Sequence, residues 1–313
     1  MNRVALFTHP ACLTHDPGAG HAECPDRLRA VLAALEHPDF TPLLREQAPL
    51  ATRDQLCLAH PAAYVDAILA LVPPAGELLM LDADTFVGTG SVAAARHAAG
   101  GAVAAVDAVM GGWADTAFAA VRPPGHHAEA RTAMGFCLFN SVAVAAHHAR
   151  ARWGLRRVAV VDFDVHHGNG TQHMFEADAD LFYASSHQMP CYPGTGAAHE
   201  TGVGNIVNLP LRPGSGSAAF RAAWSDTGLP ALRAFAPDLL IVSAGFDAHR
   251  ADPLAQIQLE TADFGWITDA LMACGAPMIS VLEGGYDLQA LAASAALHVR
   301  RLLLGQPPRA GAA

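Results

Sequence analysis

The chain has 313 residues, 52% of them hydrophobic, enough for one large buried core. Its formal net charge of −10, from 29 acidic against 19 basic residues, argues against a nucleic-acid-binding surface and weakly favours a cationic substrate. No run of about 18 uncharged apolar residues occurs, so no membrane span is expected. The N-terminus enters V-A-L-F without the cationic segment and long apolar stretch of a signal peptide. The six cysteines (Cys12, Cys24, Cys57, Cys137, Cys191, Cys274) are scattered, form no C-x-x-C pair, and read as reduced thiols of a cytoplasmic protein.

In chain order, strand-like and helix-like segments alternate. Val4 to Thr8 reads as a first strand, and Pro10 to Cys24 as a loop. Pro25 suits the first turn of a helix running to Leu35, and Pro61 opens another to Leu71. Pro73 to Gly90 reads as a long loop carrying D-A-D-T. The alanine-rich stretch Gly90 to Met110 is a packed helix, followed by a strand from Thr116 to Val121. R-P-P-G-H-H-A then forms a stiff loop. Asn140 to Trp153 is helical and leads into a strand starting at Val158. Later strands are Leu181 to Ser185, Ile206 to Leu209, Leu239 to Ser243 and Met278 to Leu282. Helices fit from Ser217 to Phe235, Thr261 to Cys274 and Leu288 to Leu304, with a frayed tail from Gln306. Without repeats, charge blocks or linkers, residues 1–313 read as a single domain. Such alternation implies a mainly parallel sheet covered by helices, an α/β protein with ligands bound beyond the carboxyl ends of its strands.

The chemistry concentrates where that rule predicts. V-A-V-V-D-F-D-V-H-H-G-N-G-T-Q starts as a Val-rich run, the mark of a strand buried on both faces. Asp162, Asp164 and His166 follow at alternate positions, so a strand period of two turns them to one face. Unpaired buried carboxylates cost several kcal/mol, and a bound cation removes that cost. Four other strand ends carry His126 and His127; Ser185, Ser186 and His187; the loop A-G-F-D-A-H-R-A-D-P with Asp252; and E-G-G-Y with Tyr286. Five strand ends thus bring carboxylates, imidazoles, hydroxyls and a phenol to one rim.

These motifs, together with H-A-E-C-P-D-R-L, G-F-C-L-F-N and Y-P-G-T-G, resemble the histone deacetylase family, in its class II-like bacterial form, over nearly the whole chain. The resemblance implies the arginase/deacetylase fold, a three-layer α/β/α arrangement around a mainly parallel eight-stranded sheet. It implies a zinc-dependent amidohydrolase that removes acetyl or other acyl groups from lysine side chains, with Asp164, His166 and Asp252 as zinc ligands. Three protein ligands leave a fourth position for water, the catalytic pattern. By the same resemblance His127 is the general acid and base, with His126 its electrostatic partner and Asp162 orienting His126. Tyr286 is the oxyanion donor, and Asn169 stands where many class I relatives have an Asp. Gly135, Phe136 and Tyr192 match a narrow tunnel for an aliphatic chain. One potassium site would use Asp162, Asp164, the His166 carbonyl, Ser185 and Ser186. A second would use backbone oxygens of Phe175, Asp178 and Leu181, with Phe220 as a fourth.

Expected partners are an acylated lysine peptide or protein, or an acylated small amine, with no nucleic acid and no membrane; a homo-oligomer is left open. Three alternatives stand beside this: an acetylpolyamine amidohydrolase, a dimanganese arginase-like ureohydrolase, and a non-catalytic acyl-lysine module. The ureohydrolase would need more ligands than D-x-D-x-H supplies, and the module would have lost a ligand or the tyrosine. Leu259, seven residues after Asp252, matches a position that is acidic in polyamine-selective members of the vertebrate type. Leucine there favours acyl-lysine, whereas Asp82 and Asp84 offer another route to a polyamine.

Overall fold

The Val- and Ile-rich segments form the interior strands of an eight-stranded sheet. In a computed structural model that describes residues 1–305, the strands are β1 (Val4–Thr8), β2 (Leu44–Gln47), β5 (Thr116–Ala119), β6 (Val158–Asp162), β7 (Leu181–Gln188), β8 (Ile206–Leu211), β9 (Leu239–Ala244) and β10 (Met278–Leu282). A separate two-stranded hairpin, β3 (Leu79–Met80) and β4 (Phe86–Val87), lies between them in sequence. The sheet order is β2-β1-β5-β10-β9-β6-β7-β8, and every pairing in it is parallel. V-A-V-V-D, L-L-I-V-S-A and M-I-S-V-L are buried at every position, as strands covered on both faces must be. The tail expected from Gln306 lies outside the described residues.

The covering helices are α1 (Pro25–Ala34), α2 (Arg53–Leu56), α3 (Ala62–Leu69), α4 (Ser91–Met110), α5 (Ser141–Trp153), α6 (Asn169–Phe175), α7 (Ser217–Ala223), α8 (Leu229–Phe235), α9 (Thr261–Met272) and α10 (Leu288–Leu304). They complete a three-layer α/β/α fold. Helices α4 and α5 pack on each other, and α4 lies along β1, β5 and β10; α1, α10 and α9 form a second packed group. Local signals set their ends. Asn140 and Asp287 cap α5 and α10 by accepting N–H bonds from Ala143 and Ala290, and Gly154 ends α5 in the left-handed region. Among the described residues no helix is long and apolar enough to cross a membrane.

Three expectations change. The helix expected from Ser217 to Phe235 is two helices joined by a π-helical turn, Trp224–Gly228. Gly228 lies against the Trp224 ring, and Pro230 has no N–H to continue a regular ladder. Strand β7 runs to Gln188, so Ser185, Ser186 and His187 lie within it rather than beyond it. Strand β6 ends at Asp162, so Asp164 and His166 belong to the turn that follows. That turn is built by side chains: Asp162 Oδ1 accepts Asp164 N–H at 3.0 Å, and Asp164 Oδ1 accepts His166 N–H at 2.9 Å. The five strands whose ends carry the polar clusters, β5, β10, β9, β6 and β7, are consecutive neighbours, so their parallel C-terminal ends share one edge.

Candidate active site

His126 and His127 lie in the loop after β5, with their rings 4.0 Å apart. Each is held through Nδ1 by a different partner. His126 Nδ1 meets Asp162 Oδ2 at 2.9 Å, and Tyr183 donates to the same oxygen at 3.1 Å. Burial would lower the His126 pKa, but Asp164, Asp162 and Glu283 outweigh it and push it up to about 10. His127 Nδ1 meets Asn169 Oδ1 at 2.9 Å. Asn169 Nδ2 donates to Glu129 Oε1 at 3.0 Å, which turns the amide oxygen toward His127. This network assigns the proton to Nδ1 of His127 and leaves Nε2 as a lone pair. Burial, then the charges of His126 and His166, hold the His127 pKa well below the usual imidazole value.

Behind the pair lies a buried acidic centre. His166 Nδ1 meets Asp164 Oδ1 and Asp247 Oδ2, each at 3.2 Å. Donor atoms of Asp164, His166 and Asp247 all lie within 4.8 Å of one another. Asp247 Oδ1 also accepts Val165 N–H at 2.7 Å. Burial and the nearby Asp164 carboxylate push Asp247 up to about 7. From the sequence Asp252 is the expected third ligand, whereas the group formed in the structure holds Asp247 in that place. In the structure the two oxygens of Asp252 accept N–H bonds from Leu254 at 3.0 Å and Tyr286 at 2.7 Å, and its carboxylate stands beside the compact group. The A-G-F-D motif already contained Asp247; only its tertiary contact with His166 distinguishes it. Five buried carboxylates, Asp162, Asp164, Asp247, Asp252 and Glu283, surround His126 and His166. That excess of negative charge, with oxygen and imidazole donors and no cysteine among them, fits a bound dication. Gly284 closes the centre: its N–H donates to Asp164 Oδ2 at 2.8 Å, and a Cβ there would strike the Asp247 and Asp164 carboxylates.

A pocket of about 310 Å³ opens onto this centre, lined by Asp84, His127, Gly135, Phe136, His166, Cys191, Tyr192, Leu254 and Tyr286. Tyr192 lies edge-on to His127 at 5.0 Å, and Phe136 to Tyr286 at 5.9 Å. Phe136 and Tyr192, the residues expected as aromatic walls, both line this pocket. Phe136 has φ +70°, a conformation that costs energy for an L-residue, and Thr85 Oγ1 accepts its N–H at 3.0 Å. A Cβ at Gly135 would collide with the His127 ring. Leu259 does not line the pocket. It is fully buried in the core, held by bonds from its N–H to Ala248 O and from Arg250 N–H to its carbonyl, and Leu254 takes the place at the pocket.

The Tyr286 turn rests on Glu23, Arg27 and Glu283, members of the H-A-E-C-P-D-R-L and E-G-G-Y motifs to which the sequence alone gives no role. Arg27 is fully buried, donates to Gly285 O and Glu283 O at 2.5 Å each, and stacks over the Tyr286 ring at 4.8 Å. Glu23 pairs with both Arg27 and Arg122, so one carboxylate links the turn to the loop before His126. Glu283 Oε2 accepts the N–H groups of Gly125 and His126.

Of the potassium residues, Asp162 and Ser185 are register partners on β6 and β7, and Ser186 follows; all are buried, as are Asp164 and His166. Carbonyls of Phe175, Asp178 and Leu181 also converge, but on a side-chain nitrogen of the chain itself. The Phe220 carbonyl instead accepts Trp224 N–H where α7 ends.

A parallel α/β fold with a buried carboxylate–imidazole centre at its strand ends, a neutral histidine and a tyrosine at one narrow pocket, is the arrangement of an amidohydrolase. The chain belongs to the histone deacetylase family, whose domain model matches residues 21–302. It is 40% identical to the histone deacetylase-like amidohydrolase of Pseudomonas aeruginosa, over 91% of this chain and 82% of that one. It is 38% identical to the mouse polyamine deacetylase HDAC10, over 91% of this chain and 45% of that one. The crystal structure of the HDA15 HD domain superposes with a TM-score of 0.92 at 39% identity, covering 97% of this chain and 88% of that one.

Proposed function

We propose that the chain is a zinc-dependent deacetylase that hydrolyses the amide of acylated lysine side chains in a cytoplasmic setting. The observation that carries this is the Asp164–His166–Asp247 group beside a pocket lined by His127 and Tyr286. We assign the metal to Asp164, His166 and Asp247 in place of the expected Asp252, whose two oxygens accept the Leu254 and Tyr286 N–H groups and so fix the Tyr286 turn. When bound, zinc supplies an ionised water and polarises the amide carbonyl. His127 Nε2 takes the proton of the attacking water and returns it to the leaving amine. The Tyr286 hydroxyl donates to the carbonyl oxygen as charge develops there. Phe136 and Tyr192 hold the aliphatic stem and exclude water, with about 0.8 kcal/mol from each buried methylene. Potassium at Asp162, Asp164, His166, Ser185 and Ser186 would neutralise the remaining carboxylate charge.

Zinc content tests the ligand assignment. Asp247→Asn is expected to lose bound zinc, whereas Asp252→Asn retains it with an affinity lowered by about 10- to 100-fold. The reverse order, measured by elemental analysis against a zinc chelator series, would make Asp252 the ligand. Two transition metals per wild-type chain would favour a dinuclear hydrolase instead.

Acyl-lysine is preferred over acetylpolyamine because Leu254 gives the pocket an apolar side. Asp84 favours the second reading: it lines the same pocket with Asp82 beside it, a pair that would attract a polyamine ammonium. Leu254→Glu is expected to shift the ratio of specificity constants from an acetyl-lysine peptide toward acetylspermidine by about tenfold or more. A wild type that already favours acetylspermidine, and loses that preference in Asp84→Asn, would establish the polyamine reading.

A further inference from the structure

The turn between α6 and β7 forms an oxygen cage. Phe175, the last residue of α6, Asp178 in the turn, and Leu181, the first of β7, point their carbonyl oxygens at one atom. That atom is Asn205 Nδ2, at 2.8, 3.0 and 2.6 Å respectively. A primary amide has two N–H protons, so three acceptors share two donors. The crowding is not a matter of which way the amide is turned. Asn205 Oδ1 accepts Val203 N–H at 3.1 Å, and the reverse orientation would set an oxygen against three oxygens. The residue is also fixed by its backbone, since its carbonyl accepts Tyr183 N–H at 3.1 Å, and it is buried.

Three inward-facing carbonyls with no carboxylate form a cage of partial negative charge, of the kind that takes a weakly hydrated monovalent cation. The resemblance places a second potassium at these three oxygens with that of Phe220, which here accepts Trp224 N–H instead. In this chain the cage does not fit that ion, because its centre is filled. We infer that the Asn205 amide nitrogen stands in for the cation. The polarised NH₂ supplies the positive end that these carbonyls need, and the α6–β7 turn is thereby closed without potassium. The inference concerns this turn alone and does not depend on the substrate or on the catalytic metal.

Thallium(I) serves as an anomalous stand-in for potassium. Wild-type crystals grown in thallium acetate are expected to show no peak among the carbonyls of Phe175, Asp178 and Leu181. A peak there, with the Asn205 side chain displaced, would overturn the inference. Asn205→Asp keeps the shape of the side chain but puts an oxygen where the NH₂ was, completing a four-oxygen cage. It is expected to bind thallium at that point. Its melting temperature should rise by about 2–4 °C more than that of the wild type when KCl replaces tetramethylammonium chloride at constant ionic strength. An Asp variant that binds no thallium there and responds to potassium no more than the wild type would also overturn the inference, since the cage would then have no appetite for a cation. If the variant does not fold in either salt, the wild-type thallium map decides alone.

Discussion

His127→Ala is expected to lower kcat by about 100- to 10,000-fold while bound zinc stays at the wild-type level. The two adjacent histidines are nearly alike in sequence context, yet their pKa values are shifted in opposite directions. His126 faces Asp162 and Asp164, which raise its pKa, whereas His127 faces the neutral Asn169 and its pKa is held below the usual imidazole value. A general base must begin neutral, which suits the role proposed for His127, a residue that lines the pocket. The relay from Glu129 through Asn169 sets its tautomer. Glu129→Gln should therefore lower kcat more than KM, by less than His127→Ala does, because a Gln side chain still offers one acceptor oxygen. Single-turnover rates on an acetyl-lysine peptide, with zinc measured on the same samples, separate base loss from metal loss. If His127→Ala kept more than about a tenth of wild-type turnover, far above the general-base range, the proton acceptor would lie elsewhere.

What could be read in advance follows the physics of each signal. The interior strands were legible because burial on both faces demands continuous apolar runs. Strand β2 was not, since L-R-E-Q at the sheet edge is largely exposed and carries no such run. Helix α6 was hidden by Gly168 and Gly170, which look like loop residues. Gly168 is there for space: a Cβ would crowd Asp162, Tyr183 and His126. Strand-end clustering found the polar rim because parallel strands all end on one edge. It could not rank Asp247 against Asp252, five residues apart on one loop, nor Leu254 against Leu259, since those choices depend on which side chain the loop turns inward. The roles of Asn205 and Arg27 were beyond any reading by spacing. Their partners, at 175 to 181 and 283 to 285, become neighbours only in the folded chain.

Tyr286→Phe is expected to cut kcat by about 100- to 1,000-fold, with KM and zinc content close to wild type. The phenol is held as a donor. Burial raises its pKa well above the usual value; Arg27 opposes this, and the nearby Asp247 and Asp164 carboxylates reinforce it, so the hydroxyl stays protonated. Its position is set from three sides. Arg27 stacks on the ring and binds the carbonyls of Glu283 and Gly285, Asp252 accepts the Tyr286 N–H, and Phe136 meets the ring edge-on. Such bracing suits a donor that must meet an oxyanion without reorganising. The substitution is a sharp one because phenylalanine keeps the ring, the stacking and the pocket wall, and removes one hydroxyl. Were Tyr286 only a wall of the pocket, Tyr286→Phe would turn over an acetyl-lysine peptide at nearly the wild-type rate. Were it the oxyanion donor, the loss would appear in kcat, and it would appear equally for an activated anilide whose leaving group needs no protonation. A Phe variant impaired on the peptide but not on the anilide would move Tyr286 from the oxyanion to the leaving amine.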